Sequence, residues 1–395
     1  MEPTLLRLSD SAAIMSTLAQ LIATRTALTR PQLAHATGLA RSTIDTALGR
    51  LQQADLIVDA GPGPQGMRGR PAQTLALSPT AGAIYIADLT PHHIRGAIVS
   101  LGQRLLASRR VTFPLANGPE ATLQATADLL TELQASLDRP PATARAVVAS
   151  LPGPVDAKRG IPVRPPIMPG WDAFPVAQWL GERFGCPCLA DNDVNLMALG
   201  EARALPADQS PLLFVKVGTG IGGGLVSNTG RLHRGADGAA GDIGHLRVSG
   251  VADVICSCGN AGCVEAVASA VAITANLRLA QGNPDLTRAD LEALARAGDP
   301  LVLRLIRDAA AILGATVADL VHVYNPARIV IGGPLAAVSD DLLAGVRSVV
   351  YQQALPLATR NLTLANSELG DMAGLVGAAV YGIEHVLSPA AFRQP

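Results

Sequence analysis

Apolar residues recur at helical spacing from Ser11 to Ala27, at Ile14, Leu18, Leu21 and Ile22, one stripe of a 3.6-residue period. The stretch that follows, LTRPQLAHATGLARSTIDTALGRLQQADLIVD, predicts two shorter helices. Thr29 can cap the first, with Pro31 near its first turn and Leu33 and Ala34 on its apolar face. Gly38 ends it at a tight turn, and Ser42 or Thr43 can open the second, which buries Ile44, Ala47, Leu48 and Leu51. Two short helices across a glycine turn make a helix-turn-helix. Next, LIVDAGPGPQGMRGRPAQTLALS predicts a two-stranded hairpin with Arg68, Gly69, Arg70 and Pro71 at its tip.

The outer face of the second helix is left with Arg41, Ser42, Thr43, Asp45, Thr46 and Arg50, short hydrogen-bonding groups and arginines of the kind that reach base edges and phosphates. Helix-turn-helix geometry also occurs in packing and dimerisation modules. A glycine-flanked arginine pair at the hairpin tip, suited to a minor groove as a wing, favours DNA. Up to Thr80 there are seven arginines against five carboxylates. So small an excess predicts weak binding by one copy, and a homodimer or tetramer on a pseudo-palindromic operator.

Beyond residue 80, two stretches read alike: IYIADLTPHHIRGAIVSLGQRLL from Ile84 and LLFVKVGTGIGGGLVSNTGRLH from Leu212. Each is an apolar strand, a turn, a second strand with its glycine in register (Gly96, Gly224), then a glycine hairpin. Two copies of one unit predict two similar α/β lobes, with a ligand cleft between them. In the second copy the turn Gly218-Thr219-Gly220-Ile221-Gly222-Gly223 offers amides to an anion. The first copy has Thr90-Pro91-His92-His93-Ile94-Arg95 there; proline removes a donor and the bulkier side chains obstruct close approach, so no phosphate is gripped from both sides. In RIVIGGPL, Gly332-Gly333 ends another strand and either faces an adenine or makes a tight strand-to-helix connection.

Polar residues then gather at predicted strand ends, where α/β folds project ligand groups. CLADNDVNLMALGEA places Asp191, Asn192, Asp193 and Asn195 between a strand and a helix; an amide beside a carboxylate suits adjacent sugar hydroxyls, while Asn192 or Asp193 can instead cap the helix. GADGAAGDIGHLRV brings in Asp242 and His245, and ICSCGNAGCVEAVAS follows. His245, Cys256, Cys258 and Cys263 form a full tetrahedral set for structural Zn2+. Glu265 either enters the same cleft or is a favourable carboxylate at a helix N-terminus. A metal on one imidazole nitrogen of His245 fixes the other, which can hold a ligand hydroxyl. Cys186 and Cys188 read as core thiols.

Composition narrows the function. The 395 residues suit two or three domains, and a formal net charge of -1 argues against wholesale binding to nucleic acid or anionic membrane. Lysine occurs only at Lys158 and Lys216, so nearly every cation is arginine, a bias expected of a GC-rich genome. The sequence shows no signal-peptide pattern and no long uncharged apolar run, which predicts a cytoplasmic location without membrane contact.

These motifs resemble the ROK family of sugar kinases and transcriptional repressors, most specifically in CSCGNAGC with GDIGH before it, and in NDVN. The resemblance covers nearly the whole chain. It implies a winged helix-turn-helix over 1–80 and two actin-like, ribonuclease H-like α/β lobes over 81–210 and 211–395, the second holding the zinc site. In the family's kinases the residue matching Asp193 takes the proton from a sugar hydroxyl, and those matching Asn192, His245 and Glu265 hold the sugar. Asp242 stands where the family usually has glutamate. The kinases' Asp-x-Gly-Gly-Thr-like phosphate loop falls on Asp88-Leu89-Thr90-Pro91-His92, where Asp88 survives and the glycines do not. The resemblance therefore implies a sugar-controlled repressor with no catalytic residues; the alternative is an ATP-dependent sugar kinase with an added DNA-binding domain.

Overall fold

The computed structural model describes residues 10–62, 73–138, 143–251 and 253–393. It divides into two compact units that do not follow chain order: unit 1 takes residues 1–149, 176–189 and 379–395, and unit 2 takes 150–175 and 190–378.

The N-terminal part of unit 1 is a winged helix-turn-helix. α1 (Ser11–Ala23) is capped by Asp10. α2 (Arg30–Thr37) opens on a reciprocal cap between Thr29 and Gln32, has Pro31 in its first turn, and ends at Gly38 in the left-handed conformation, as the sequence predicts. α3 (Arg41–Gln53) buries the expected Ile44, Ala47, Leu48 and Leu51, but starts one residue before Ser42: Ala40 stands at its N-cap and no side chain caps it. β1 (Ile57–Pro62) and β2 (Gln73–Leu77) pair antiparallel as the wing. Ser16 Oγ donates to the Leu387 carbonyl at 2.6 Å and Arg393 pairs with Asp10, so the end of the chain ties down α1.

The rest of unit 1 is built on a five-stranded sheet of order β5-β4-β3-β6-β9. Its strands are β3 (Ala83–Thr90), β4 (His93–Ser100), β5 (Leu105–Thr112), β6 (Ala144–Leu151) and β9 (Cys188–Asn192). β3 is buried along nearly its whole length, while β5 is the exposed edge. α4 (Pro119–Ala135) covers β4, and its Leu129 and Leu133 lie against Gly96. α5 (Val176–Phe184) follows; Cys186 and Cys188 are half-buried beyond it, and burial pushes both thiols up.

Unit 2 opens with the short hairpin β7 (Val155–Asp156) and β8 (Ile161–Pro162), then α6 (Asp193–Ala204). Its sheet has the order β11-β10-β12-β13, from β10 (Leu212–Val217), β11 (Ile221–Val226), β12 (Arg328–Gly332) and β13 (Thr363–Asn366). β10 and β11 are antiparallel, while β12 and β13 continue parallel. One face carries α6. The large apolar core holds α7 (Val264–Ala268), α8 (Ala270–Gln281), α9 (Arg288–Arg296), the 25-residue α10 (Pro300–Tyr324) and α11 (Asp340–Gln353). α12 (Pro356–Thr359) follows, and α13 (Ala373–Val386) runs on into the stretch assigned to unit 1. Gly333, with φ of 94°, would set a Cβ 2.6 Å from the Val217 carbonyl, so Gly332-Gly333 is a tight connection.

The two strand-turn-strand copies are present, with one correction. Gly96 pairs with Ala87, whereas Gly224 pairs with Phe214 rather than Val215, because the first hairpin turns on Pro91-His92 and the second on three residues.

Candidate functional site

The cleft that collects the polar constellation lies entirely within unit 2. Asn192, Asp193, Lys216, Gly220, Asp242, His245 and Glu265 all line it, with a volume of about 840 Å³ counted to its open mouth. Polar groups converge there from several elements, as they do in a small-molecule site.

The end of β9 and the start of α6 supply the first group. Asn192 caps α6: its Oδ1 accepts the N–H groups of Val194 and Asn195 at 2.8 and 3.3 Å, while its Nδ2 donates to the Gly153 carbonyl at 2.8 Å. Of the two residues able to cap, it is Asn192 that does so. Asp191, 1% exposed, accepts from Asn195 at 2.9 Å and from Arg234 Nε at 2.8 Å. That buried pair holds the loop after β11 against the start of α6, and sequence reasoning did not find it; Arg234, just ahead of the GADG run, was the available signal. Asp193 faces the cleft and forms an ion pair with Lys216 of β10.

Glu265 resolves both of its expected roles. It sits in the first turn of α7 and also lines the cleft. Its Oε2 accepts the Ile221 N–H at 3.0 Å, and a Cβ on Gly220 would collide with it. Gly218 N–H donates to the Gly220 carbonyl at 3.0 Å. Two amides expected to face an anion are therefore spent inside the protein. The other glycines serve packing: Cβ atoms on Gly222 and Gly224 would lie 2.9 Å from Val194 Cγ2 and 2.5 Å from Ala198 Cβ, so their absence lets α6 rest directly on β11.

The first copy is closed differently. Thr90 Oγ1 donates to the His93 carbonyl at 3.1 Å and receives its N–H at 3.2 Å, while the carbonyls of Pro91 and His92 accept from Leu115 and Phe113. This turn has no glycine and no donor from Pro91.

His245, Cys256, Cys258 and Cys263 converge, with ligand atoms all within 4.8 Å of one another. His245 Nδ1 is 3.6 Å from Cys256 Sγ, and the sulfurs of Cys258 and Cys263 are 3.8 Å apart. A tetrahedron with metal–sulfur bonds of about 2.3 Å and metal–nitrogen of about 2.0–2.1 Å has edges of about 3.8 and 3.6 Å. The donor set thus fits one tetrahedral ion and leaves His245 Nε2 to the cleft. A knuckle shapes it: Cys256 N–H donates to the Asn260 carbonyl at 2.7 Å, and Gly259 N–H returns to Cys256 at 2.9 Å. Burial, reinforced by Cys258 and Cys256, pushes the Cys263 thiol up to about 12, so a bound cation must displace protons.

In the helix-turn-helix, Arg41 and Ser42 are exposed and Thr43 half-exposed. Other residues of the same face have partners within the module: Asp45 pairs with Arg30 at 3.1 Å, Thr46 Oγ1 donates to the Ser42 carbonyl at 2.9 Å, and Arg50 donates to Ser11. Arg68 and Arg70 lie outside the described residues. No helix among the described residues is long and apolar enough to cross a membrane.

An actin-like pair of units, a winged helix and a His/Cys3 knuckle define the architecture, and comparison with known proteins gives it a family. The chain belongs to the ROK family, whose model matches residues 85–384. It is 35% identical over 222 residues to a glucokinase of Halalkalibacterium halodurans, covering 53% of this chain and 67% of that one. Over 361 residues it is 25% identical to the xylose repressor of Bacillus spizizenii, covering 91% and 92%. The solved structure of a ROK family transcriptional regulator, homolog of the E. coli MLC protein, shares the fold with a TM-score of 0.79 at 24% identity, across 96% of this chain and 97% of that one. The repressor matches include the N-terminal module; the glucokinase match covers about half the chain.

Proposed function

We propose that this protein is a carbohydrate-responsive transcriptional repressor, in which the winged helix-turn-helix holds operator DNA and the cleft of unit 2 holds a sugar or sugar derivative. The observation that carries the reading is the pairing of an intact polar cleft with a closed Thr90–His93 turn. Phosphoryl transfer rests almost wholly on positioning and charge stabilisation of the phosphates. A turn whose hydrogen bonds close on themselves supplies neither, so the cleft is a sensor and the chain is not an enzyme.

In this reading Asn192, Asp193, Asp242, His245 and Glu265 contact the sugar. Zn2+ held by His245 and the three cysteines is structural, since four protein ligands leave no open position. Arg41, Ser42, Thr43, Asp45, Thr46 and Arg50 contact the operator, with Arg68 and Arg70 in the wing. The protein acts as a homodimer or tetramer on a pseudo-palindromic operator, in the cytoplasm. The repressor relatives that match over nine-tenths of the chain support the repressor role, and the kinase relatives support the sugar.

A thermal-shift screen of the zinc-loaded chain against D-glucose, D-xylose, N-acetyl-D-mannosamine and their phosphates, each with and without Mg-ATP, tests it. A ligand at 100 times its Kd adds about 2.7 kcal/mol of stability. A shift with one compound, unchanged by ATP, is expected. A shift that requires ATP, with ADP release abolished by Asp193→Ala, would establish a kinase instead. Arg68→Ala with Arg70→Ala is expected to weaken operator binding and leave the sugar shift intact.

A further inference from the structure

Lysine is nearly absent from this chain, and one of its two lysines sits in the cleft. Of 31 cationic side chains only Lys158 and Lys216 are lysine. Lys158 is exposed on the short hairpin, donating to the Ala236 carbonyl at 3.2 Å. Lys216 is half-buried on β10, with its side chain 25% exposed, and its ammonium pairs with the Asp193 carboxylate, itself 11% exposed. Both partners line the cleft.

The sheet makes room for that lysine. In register, Lys216 stands opposite Gly222 on β11 and Gly332 on β12. Neither glycine sets a cross-strand side chain against it: the Phe214 ring lies over Gly332, and Gly222 lets Val194, next to Asp193 at the start of α6, come close to the sheet. A strand position between two glycines normally loses packing. Here the glycine on β11 lets α6 bring Asp193 within reach of the ammonium.

From this geometry we infer that Lys216 and Asp193 act together as one donor–acceptor reader of a single hydroxyl on an uncharged polyol, and that Lys216 determines specificity for that ligand class. This rests on the sugar-sensor reading above. An ammonium has three donors and no acceptor, and a carboxylate has two acceptor oxygens. Pairing through Asp193 Oδ2 leaves Lys216 with donors to give and Asp193 Oδ1 to accept. A hydroxyl complements that pair, because it both donates and accepts. Arginine would not serve in the same way: its planar fork takes both carboxylate oxygens at once, whereas lysine is a compact point charge. A chain that uses arginine almost everywhere has lysine at the position where the difference matters.

Charge excludes the alternatives. Among the described residues lining the cleft, Lys216 is the only lysine or arginine, and it is matched by Asp193; Asp242 and Glu265 add two further carboxylates. A phosphate or carboxylate on the ligand would meet those two without an unpaired arginine or lysine to offset them. The cleft therefore takes the uncharged sugar in preference to its phosphorylated or oxidised form.

The test compares matched ligands on the full-length, zinc-loaded chain: D-glucose, glucose 6-phosphate and gluconate; D-xylose and xylonate; N-acetyl-D-mannosamine and its 6-phosphate. Calorimetric titration should find one uncharged member binding at least tenfold more tightly than its charged counterparts. Lys216→Met and Lys216→Arg should each weaken that binding at least tenfold while the melting temperature without ligand holds. Because only two lysines exist, amine acylation read by peptide mass spectrometry isolates Lys216, with exposed Lys158 as internal reference. Asp193→Asn should speed acylation of Lys216, and the bound sugar should slow it at Lys216 alone. Tighter binding of a charged counterpart, undiminished binding by Lys216→Met, or a sugar that binds yet leaves Lys216 acylation unchanged would each overturn the inference while sparing the sensor reading. No binding by any of these compounds would overturn both.

Discussion

The two strand-turn-strand copies started from one pattern and now solve different problems. β3 and β4 close on a two-residue turn whose Thr90 and His93 bond to each other. β10 and β11 keep a glycine turn, yet its Ile221 amide is taken by Glu265 and its glycines admit α6 and the metal-knuckle helix at close range. Glycine density in the second copy thus reports what must pack against the hairpin as much as what ligand approaches it. The glycine-free turn of the first copy closes on its own hydrogen bonds, while the glycines of the second let Glu265 and Val194 line the neighbouring cleft at close range.

The largest expected effect breaks the second copy from outside. Cys263 is the N-cap of α7 and Glu265 lies in that helix's first turn, so an ion held by the His/Cys3 cluster would position the residue that caps the glycine turn. Chelation of the metal, or Cys263→Ser, should lower the melting temperature by at least about 10 °C, since a structural Zn2+ contributes on the order of 10 kcal/mol in small domains, and should abolish sugar-induced stabilisation. Metal affinity should rise with pH as the thiols, Cys263 foremost, give up protons. Cysteine replacement that leaves both stability and sugar binding unchanged would detach the knuckle from the turn.

A smaller effect compares the hairpins directly. An added Cβ on Gly224 would lie 2.5 Å from Ala198 Cβ and 2.8 Å from the Val194 carbonyl, while on Gly96 it would meet only the tips of Leu129 and Leu133 at 3.0 to 3.1 Å. Gly224→Ala should cost about 3 kcal/mol and Gly96→Ala about 1 kcal/mol, in line with overpacking where backbone blocks relaxation or side chains yield. Urea unfolding of the two variants measures the difference. Equal costs would mean that α6 is held against β11 no more tightly than α4 against β4.

The smallest effect concerns the closed turn. Pro91→Gly should destabilise by about 0.5–1 kcal/mol through the freedom it gives the unfolded chain, and should yield no ADP release with any hexose, because the carbonyl contacts to Phe113 and Leu115 still close the loop. ADP release by this single variant would show the phosphate site to be nearly intact.

Much of this was legible in the sequence wherever the determinants are local. The Thr29 cap, Pro31 and Gly38, and the spacing from His245 to Cys263, each specify a structure within a few residues. Asp193 and Lys216 are separated by 23 residues and Asp191 and Arg234 by 43, and no local pattern reports such pairs. Their meeting depends on how closely α6 approaches β11, which Gly222 and Gly224 allow. The start of α3 was misplaced because Ala40 supplies no side-chain cap, so the capping signal pointed at Ser42 and Thr43 instead. The one-residue difference in turn length was likewise hidden, since an ungapped comparison of the two copies keeps Gly96 and Gly224 aligned.

In the proposed function the cleft senses a sugar and controls DNA binding without phosphoryl transfer. Fluorescence anisotropy with an operator selected from random DNA by the zinc-loaded chain, titrated with the sugar that stabilises it and followed for ADP in the same samples containing Mg-ATP, tests this most directly. Operator affinity is expected to change by about 5- to 150-fold, the span of a 1–3 kcal/mol coupling, with no ADP formed. An operator affinity indifferent to the bound sugar, or steady ADP release dependent on Asp193, would contradict it.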